Sequence, residues 1–515
     1  MDRRRFMFQA SAAAAASSCS RRGTAQSLTT ASTELTLSEE PGAARIPLSY
    51  VGLSYELAQL TDPTFFSASN RDLVAYFRLL NPRGVLRVGG NTSEFCWFQA
   101  NASTPAPQLR VPVGNFDANW MPHQLFAIAP EAINELAGFL EATGWRLIYG
   151  LNFGNGTPER AAAEAAYVAQ KAGGRLEYFQ IGNEPDFYRN ANNGLRPPNW
   201  DFADYLKEWT AFAEAVAAKA PDARFGGPDV GASSDWVTRF GEELPAPMRS
   251  RLVALTGHYY AEGPPDDPRV TTQRLLAGNA KIPAEMKRIE ETARAHSLIY
   301  RMSEGNSCYR GGKPGMSDAF ASALWAGDYL LQLASLGCAG INLHGGGGAF
   351  LTAGLGGHTP GLAVAKVQQT VRNGFYTPIR SEPGSQAKGM PVFYGMLLAG
   401  QFANCDLLHV EADMHGVNAT AYAARHKHGF KVAIFNKDEF QSIDIAIHAP
   451  RRVQTASAWR LQAPALDSTK GVTLAGAEIE AHGLWSPRVT EPLEISDGVS
   501  RIHLPAGSAA LLFLS

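Results

Sequence analysis

From about residue 49 to 345 the chain alternates short apolar runs with longer stretches in which apolar residues recur every three to four positions. That is the pattern of parallel strands joined by helical crossovers. The apolar runs are Tyr50–Ser54, Gly84–Val88, Arg146–Leu151, Leu176–Ile181, Ala223–Gly226, Leu252–Thr256, Leu298–Met302 and Ala339–Leu343. The intervening periodicity predicts helices near 70–80, 130–143, 159–172, 202–219, 269–295 and 318–336, with a weaker pattern at 232–245. Pro391–Phe402 is expected to be the last helix of the set. Eight βα units in roughly 300 residues match a (β/α)8 TIM barrel of the α/β class better than an open doubly wound sheet. After residue 403 the period changes to two, and Leu407–Val410, Asn418–Tyr422, Phe430–Phe435, Ile443–Ile447, Ala456–Leu461, Arg501–Leu504 and Ala509–Leu514 read as short strands. An antiparallel β-sandwich is expected there. Glu34–Pro47, ahead of the barrel, is expected to add a strand to it. The expected organisation is a leader over 1–28, an N-terminal strand segment over 29–48, a barrel over 49–402 and a sandwich over 403–515.

The C-terminal ends of the barrel strands are polar. In order they carry Glu56, Gly89-Gly90-Asn91, Asn152, Asn183-Glu184, Asp229, His258-Tyr259, Glu304, and Asn342 with His344. All eight strand ends of such a barrel point to one face, where its active sites lie. Two insertions rich in Gly, Pro, Asn and aromatics, 92–129 and 345–390, sit on the same face and are expected to shape a cleft.

Composition narrows the partners. Lys and Arg number 46 against 48 Asp and Glu, a net charge of −2. The dispersed charges form no basic face for nucleic acid and no polybasic segment for anionic lipid. Five Cys in 515 residues are too few for a disulfide scaffold. Arg3-Arg4-Arg5-Phe6-Met7, followed by an Ala-rich apolar stretch from Phe8 to Ser18, resembles a twin-arginine export signal. The stretch is shorter than the ~20 residues of a membrane span. Export to the periplasm or beyond is therefore expected, with Cys19 after Ala16-Ser17-Ser18 as a weak lipidation site.

Glu184 and Glu304 are the candidate catalytic pair. Glycoside hydrolysis needs a protonated acid at the leaving oxygen and a second carboxylate that attacks the anomeric carbon or activates water. Glu184 in Gly182-Asn183-Glu184-Pro185 and Glu304 in Ser303-Glu304-Gly305-Asn306 end the fourth and seventh strands, which a barrel places at one rim. Asn183 is then set to hydrogen-bond the sugar hydroxyl beside the reacting carbon. Tyr259 either orients the nucleophile or is a rim aromatic, and Trp97 and Trp120 either stack on sugar or pack their loop.

Five of these segments, in order, resemble glycoside hydrolase family 79, which contains bacterial β-glucuronidases and heparanase: Leu53-Ser54-Tyr55-Glu56 with Thr61-Asp62-Pro63, Arg87-Val88-Gly89-Gly90-Asn91, Gly182-Asn183-Glu184-Pro185, Gly257-His258-Tyr259-Tyr260, and Ser303 through Gly312. The resemblance runs from about residue 48 through the barrel and, less specifically, into the sandwich. It implies a retaining enzyme with Glu184 as acid/base and Glu304 as nucleophile. It also implies that Tyr309, Arg310 and Gly311 receive a uronate carboxylate, that Glu56 holds the distal sugar hydroxyls, and that Asn91 makes a second polar contact. A further carboxylate-binding Tyr falls only a few residues after the eighth strand in the family. Here a Gly-rich insertion intervenes, and Tyr376 is the candidate.

The reaction implied is exo-hydrolysis of terminal β-linked glucuronic acid, with or without a 4-O-methyl group, from glycans or glycosides. A heparanase-like endo-β-glucuronidase is the nearest rival; a sulfated polymer would select a basic cleft, and the insertions hold few basic residues, among them Arg110, Arg372 and Arg380. A carbohydrate-binding barrel without activity is the rival from another class. No cofactor and no metal are expected: the chain has no Gly-x-Ser-x-Gly, His-Glu-x-x-His, Cys-x-x-Cys or dinucleotide fingerprint, and His426 and His428 have no third ligand nearby.

Overall fold

The computed structural model describes residues 30–110, 125–190, 193–354, 374–381, 385–450 and 453–515. The twin-arginine segment, Cys19, Trp120 and Arg372 lie outside the described residues. Strand β1 (Thr30–Arg45) precedes the barrel, whose strands are β2 (Val51–Glu56), β3 (Val85–Gly89), β4 (Arg146–Leu151), β5 (Leu176–Ile181), β6 (Phe225–Val230), β7 (Leu252–Glu262), β8 (Ile299–Cys308) and β9 (Ile341–Gly345). Each pairs in parallel with the next, and β9 pairs with β2 to close the barrel. The covering helices are α1 (Arg71–Leu80), α2 (Pro130–Thr143), α3 (Pro158–Ala172), α4 (Phe202–Lys219), α5 (Ser234–Glu243), α6 (Ile282–Ala295), α7 (Phe320–Ser335) and α8 (Pro391–Gly400).

Local chemistry sets these boundaries. Thr157 caps α3 ahead of Pro158, and Asp201 and Asp204 form a reciprocal capping box on α4. The weak pattern near 232–245 is a helix, α5, capped by Ser233. The single helix expected over 269–295 is two, Thr272–Ala277 and α6, because Gly278 between them has φ +73°, a left-handed conformation that interrupts a helix. Strands β7 and β8 run well past the expected Thr256 and Met302, since Glu304 pairs with His258, Asn306 with Tyr260 and Cys308 with Glu262. Tyr259 and Glu304 therefore lie within strands, not beyond their ends.

Among the described residues, seven strands of six residues or more come after the barrel: β10 (Asp406–Ala412), β11 (Ala419–His426), β12 (Gly429–Asn436), β13 (Ser442–His448), β14 (Ala456–Gln462), β15 (Val499–Leu504) and β16 (Ser508–Leu514). They bond into one sheet in which β1 lies between β10 and β13, antiparallel to the first and parallel to the second. The sheet folds over its own apolar core, where Leu35, Val432, Ile445, Ile502 and Leu512 meet. Residues of the opposite parity, Ala424, Ala433, Phe435, Leu461, Ala509 and Leu511, join the barrel's core instead. Both faces of β12 and β16 are thus buried, which is why they read as almost continuous apolar runs. Helix α7 lies in this junction and is apolar nearly all round. A Cβ on its Gly327 would meet the Phe435 ring at 2.5 Å. One polar knot crosses the junction: Asp328 of α7 accepts from Thr420 Oγ1 (2.6 Å), Tyr422 OH (2.7 Å) and Lys437 Nζ (2.5 Å).

Candidate active site

The two glutamates converge at the C-terminal mouth of the barrel. One oxygen of Glu184, one of Glu304 and a ring nitrogen of His258 all lie within 4.8 Å of one another. Glu184 comes after β5 with φ 50°, a left-handed conformation that is strained for a residue with a side chain. Three bonds hold it there: Asn183 N–H donates to buried Glu94 Oε1 (2.6 Å), Glu184 N–H to the Asp229 carbonyl (2.9 Å) and Phe187 N–H to the Glu184 carbonyl (3.0 Å). Its carboxyl packs over Gly231, where a Cβ would sit 2.9 Å from Glu184 Cδ. Asp186 fixes that turn by accepting from the N–H groups of Gly231, Ala232 and Ser233 at 2.8, 3.0 and 3.1 Å.

Different surroundings separate the two carboxyls. Arg87, buried in β3, donates from Nη1 to Glu304 Oε2 (2.6 Å) and from Nη2 to Asp229 Oδ2 (2.6 Å), with Gln180, Ser54 and Asn183 taking its other hydrogens. Tyr260 OH donates to Glu304 Oε1 at 2.8 Å. Burial opposes ionisation of Glu304, but the charges of His344, His258 and Arg87 and the Tyr260 hydroxyl hold its pKa down to about 2. Glu184 keeps 19% of its side chain exposed toward the cleft. Its pKa is raised, first by burial and then by the negative charge of Glu304, while His258 opposes both. One glutamate thus holds a proton more readily and the other is firmly a carboxylate. His258 Nδ1 faces Glu184 Oε1 at 3.1 Å and its Nε2 lies 3.1 Å from Asp229 Oδ1.

Most of the residues expected around this pair are beside it. Glu56 is buried, accepts from Thr92 N–H (2.8 Å) and Oγ1 (2.6 Å), and lies 3.5 Å from His344 Nε2. Asn91 accepts from Asn183 Nδ2 (3.1 Å) and donates to the Gly354 carbonyl (3.1 Å). Asn183 Oδ1 accepts from Arg87. The buried Tyr376 ring lies 6.1 Å from Tyr260 and 6.0 Å from the His344 ring, so the insertion after β9 does bring it to the site. Tyr309, partly exposed, stands edge-on to Tyr260 at 6.4 Å, and the Arg310 guanidinium lies 5.6 Å from the Tyr309 ring centre. Gly311, with φ 85°, accepts from Tyr376 N–H at 3.3 Å.

Tyr259 is the exception. Successive side chains of a strand point to opposite faces, so with His258 and Tyr260 turned into the barrel Tyr259 turns out toward the helices. There it stacks on Tyr329 at 5.2 Å, and Tyr260 takes the contact with Glu304. The same alternation, counted from His258, was the signal for Tyr260 in the sequence. Arg87 and Glu94 had no such cue, since each is an ordinary charged residue until the barrel closes around it. Trp97 is buried in a short strand, Cys96–Phe98, and packs its loop. Arg110 is exposed, as is His428. Glu184, His258 and Glu304 are the one group of described residues with metal-ligand spacing, but their donor atoms already face Asp229, Arg87, Tyr260 and each other.

Residues 421–511 match the model of the glycosyl hydrolase family 79 C-terminal beta domain. A β-glucuronidase of Aspergillus niger is 27% identical over 338 residues, covering 59% of this chain and 60% of that protein. A β-glucuronidase of Neurospora crassa is 28% identical over 333 residues, covering 58% and 57%. The chain is thus similar to glycosyl hydrolase family 79 over its C-terminal part and to β-glucuronidases over a longer stretch. The aligned part spans about three fifths of the length of these relatives. In fold, a 4-O-α-L-rhamnosyl-β-D-glucuronidase of Fusarium oxysporum superposes with a TM-score of 0.71 at 18% identity, over 94% of this chain and 100% of that one. A family 51 arabinofuranosidase of Xanthomonas axonopodis pv. citri gives 0.61 at 16% identity, over 94% and 100%.

Proposed function

We propose that the protein is a retaining β-glucuronidase that removes terminal glucuronic acid. The observation that carries this is the approach of the two carboxylates to within 4.8 Å with opposite protonation tendencies. Retaining glycosidases hold their carboxyls about 5–5.5 Å apart, and inverting ones, which need room for a water, about 6.5–9.5 Å. Glu184 gives its proton to the glycosidic oxygen as Glu304 attacks the anomeric carbon, the aglycone leaves, and a glycosyl ester on Glu304 remains. Glu184, now a carboxylate, takes a proton from water; that water attacks the same carbon, and Glu304 is released. The reading needs no cofactor.

A uronate is favoured over a neutral sugar by the wall beside Glu304. Tyr260, Tyr309 and Tyr376 supply hydroxyls, and Arg310 to Gly312 all have positive φ, a tight turn whose two glycines leave the backbone N–H groups open to close approach by a carboxylate. Exo action is supported at the opposite wall, where Glu56 is enclosed by Gly90 and Gly354 and Asn91 is bonded to the Gly354 carbonyl, a backing for the distal hydroxyls. Secretion, supported by the arginine-rich leader alone, would bring the enzyme to extracellular glycans.

An aryl glycoside panel tests the reading. Release from aryl β-glucuronide, with little from the glucoside, is expected. Glu304→Gln should abolish turnover, and Glu184→Ala should keep activity only on substrates with activated leaving groups. Full activity of Glu304→Gln would refute the assignment, and mid-size fragments from heparan sulfate would replace exo by endo action.

A further inference from the structure

Asp229, near the end of β6, takes no direct part in the double displacement: its side chain is 1% exposed, so substrate does not reach it. Yet its backbone is held in the left-handed region, φ 62°, at a register shift between Pro228 and Val230. A strained buried carboxylate persists only where its surroundings fix it firmly. Those surroundings are the two catalytic carboxyls at one remove. Oδ2 takes Arg87 Nη2 at 2.6 Å, while Nη1 of the same guanidinium takes Glu304 Oε2 at 2.6 Å. Oδ1 lies 3.1 Å from His258 Nε2, while Nδ1 of the same ring faces Glu184 Oε1 at 3.1 Å. The His258 contact is a charge pairing whose N–H is not aligned for a hydrogen bond; Ser303 Oγ (2.5 Å) and Gln180 donate to Oδ1, and the Asp229 carbonyl accepts from Glu184 N–H. The result is an unbroken row in which acidic and basic side chains alternate: Glu184, His258, Asp229, Arg87, Glu304.

We propose that Asp229 is a positioning residue that couples the acid/base to the nucleophile, holding His258 against Glu184 and Arg87 against Glu304 at once, and thereby directs the proton of Glu184 into the cleft. This rests on the roles given above to Glu184 and Glu304. The groups facing His258 are Glu184 and Asp186 from the turn after β5, Asp229 from β6 and Glu304 from β8. Burial alone would neutralise the ring; Asp229 and then Glu304 push its pKa up to about 10. An imidazolium has two donors and no acceptor. Glu184 Oε1 must therefore accept from it, and the acid proton sits on Oε2. A neutral ring could instead accept that proton at Nδ1, where it is useless to a leaving group.

The test is Asp229→Asn, assayed on an alkyl β-glucuronide and on an aryl β-glucuronide with a strongly activated leaving group. The alkyl substrate should lose at least roughly 30-fold in kcat/KM and the activated one no more than roughly threefold, because only the first needs the proton. With the neighbouring cation gone, Glu184 holds its proton longer, so the alkaline limb of the kcat/KM profile should move up by about one pH unit. Equal losses on both substrates, or an unmoved alkaline limb, would overturn the proposal. Long-range 15N NMR of labelled histidine reads the ring directly: His258 should carry two N–H groups at pH 8 in the native protein, and a neutral ring there would also overturn it. If Asp229→Asn does not fold, Ser303→Ala removes one bond to Oδ1 and should give the same split at roughly threefold; no split would be decisive against the idea. Glu184→Ala, run alongside, separates the two readings. If it leaves alkyl glucuronide hydrolysis intact, the assignment of the acid is at fault; if it behaves as expected while Asp229→Asn fails the tests, the coupling role alone falls.

Discussion

Gly231→Ala probes how finely the acid is placed. Gly231 lies directly after β6 outside the positive-φ region, so its backbone accepts alanine. The new Cβ would overlap the Phe187 ring, its closest neighbour, and stand 2.9 Å from both Cδ and Oε1 of Glu184. Phe187 is half-buried, so its ring has a solvent side toward which to yield. Glu184 cannot, because Asn183 N–H, its own N–H and His258 pin it. Restoring an ordinary carbon contact of about 3.5 Å means displacing the carboxyl by roughly half an ångström. Misplacement on the scale of 1 Å costs up to about a hundredfold in rate, so a fall of roughly tenfold to fiftyfold in kcat/KM is expected on an unactivated β-glucuronide. The loss should nearly vanish with an activated aryl leaving group, and the unfolding midpoint should stay close to the native value. An undiminished rate on the unactivated substrate, or an equal loss on both, would show that the carboxyl over Gly231 is not the proton donor.

Tyr260→Phe removes the hydroxyl bond to Glu304; bonds to charged groups contribute about 1.5–3 kcal/mol, so kcat/KM should fall roughly tenfold or more. Because the lost bond favoured the carboxylate, the acid limb should move to higher pH, while Tyr259→Phe should leave the profile unchanged. For His258, a folded pKa of about 10 against an ordinary 6.5 gives a stabilisation complete below pH 6.5 and lost as pH rises through 10. Thermal unfolding midpoints should therefore fall over that range in the native protein and fall less in His258→Gln. Asp328→Ala leaves Lys437 buried without its anion, and urea unfolding should report about 3–5 kcal/mol of lost stability with barrel catalysis retained at low temperature.

The eight barrel strands and seven later strands were legible because short apolar runs and period-two runs differ in length and spacing. Glu184 and Glu304 were legible because each stands in a motif at a strand the topology turns toward one rim. Tyr260 is missed when β7 is expected to stop early: a strand ending at Thr256 assigns no face to residue 260, whereas one reaching Glu262 does. The cause of the raised Glu184 pKa was only half legible, since the charge of Glu304 follows from the pairing but the larger effect, burial, depends on the loops that cover it. Arg87 could not be read at all from local pattern. A guanidinium in the middle of an apolar strand is intelligible only once Gln180, Asp229 and Glu304, contributed by three other strands, surround it.

Strand β1 joins β10 and β13 across the whole length of the barrel, Thr30 meeting Ser442 and Leu35 meeting Ala412. A chain emerging from the ribosome therefore presents this segment early and keeps it waiting until most of the polypeptide has been made. In the meantime it is an unsatisfied edge, open to the wrong neighbour, and the sheet contacts it awaits span the whole barrel in sequence. Slow completion follows from a sheet that joins a strand made before the barrel to strands made after it.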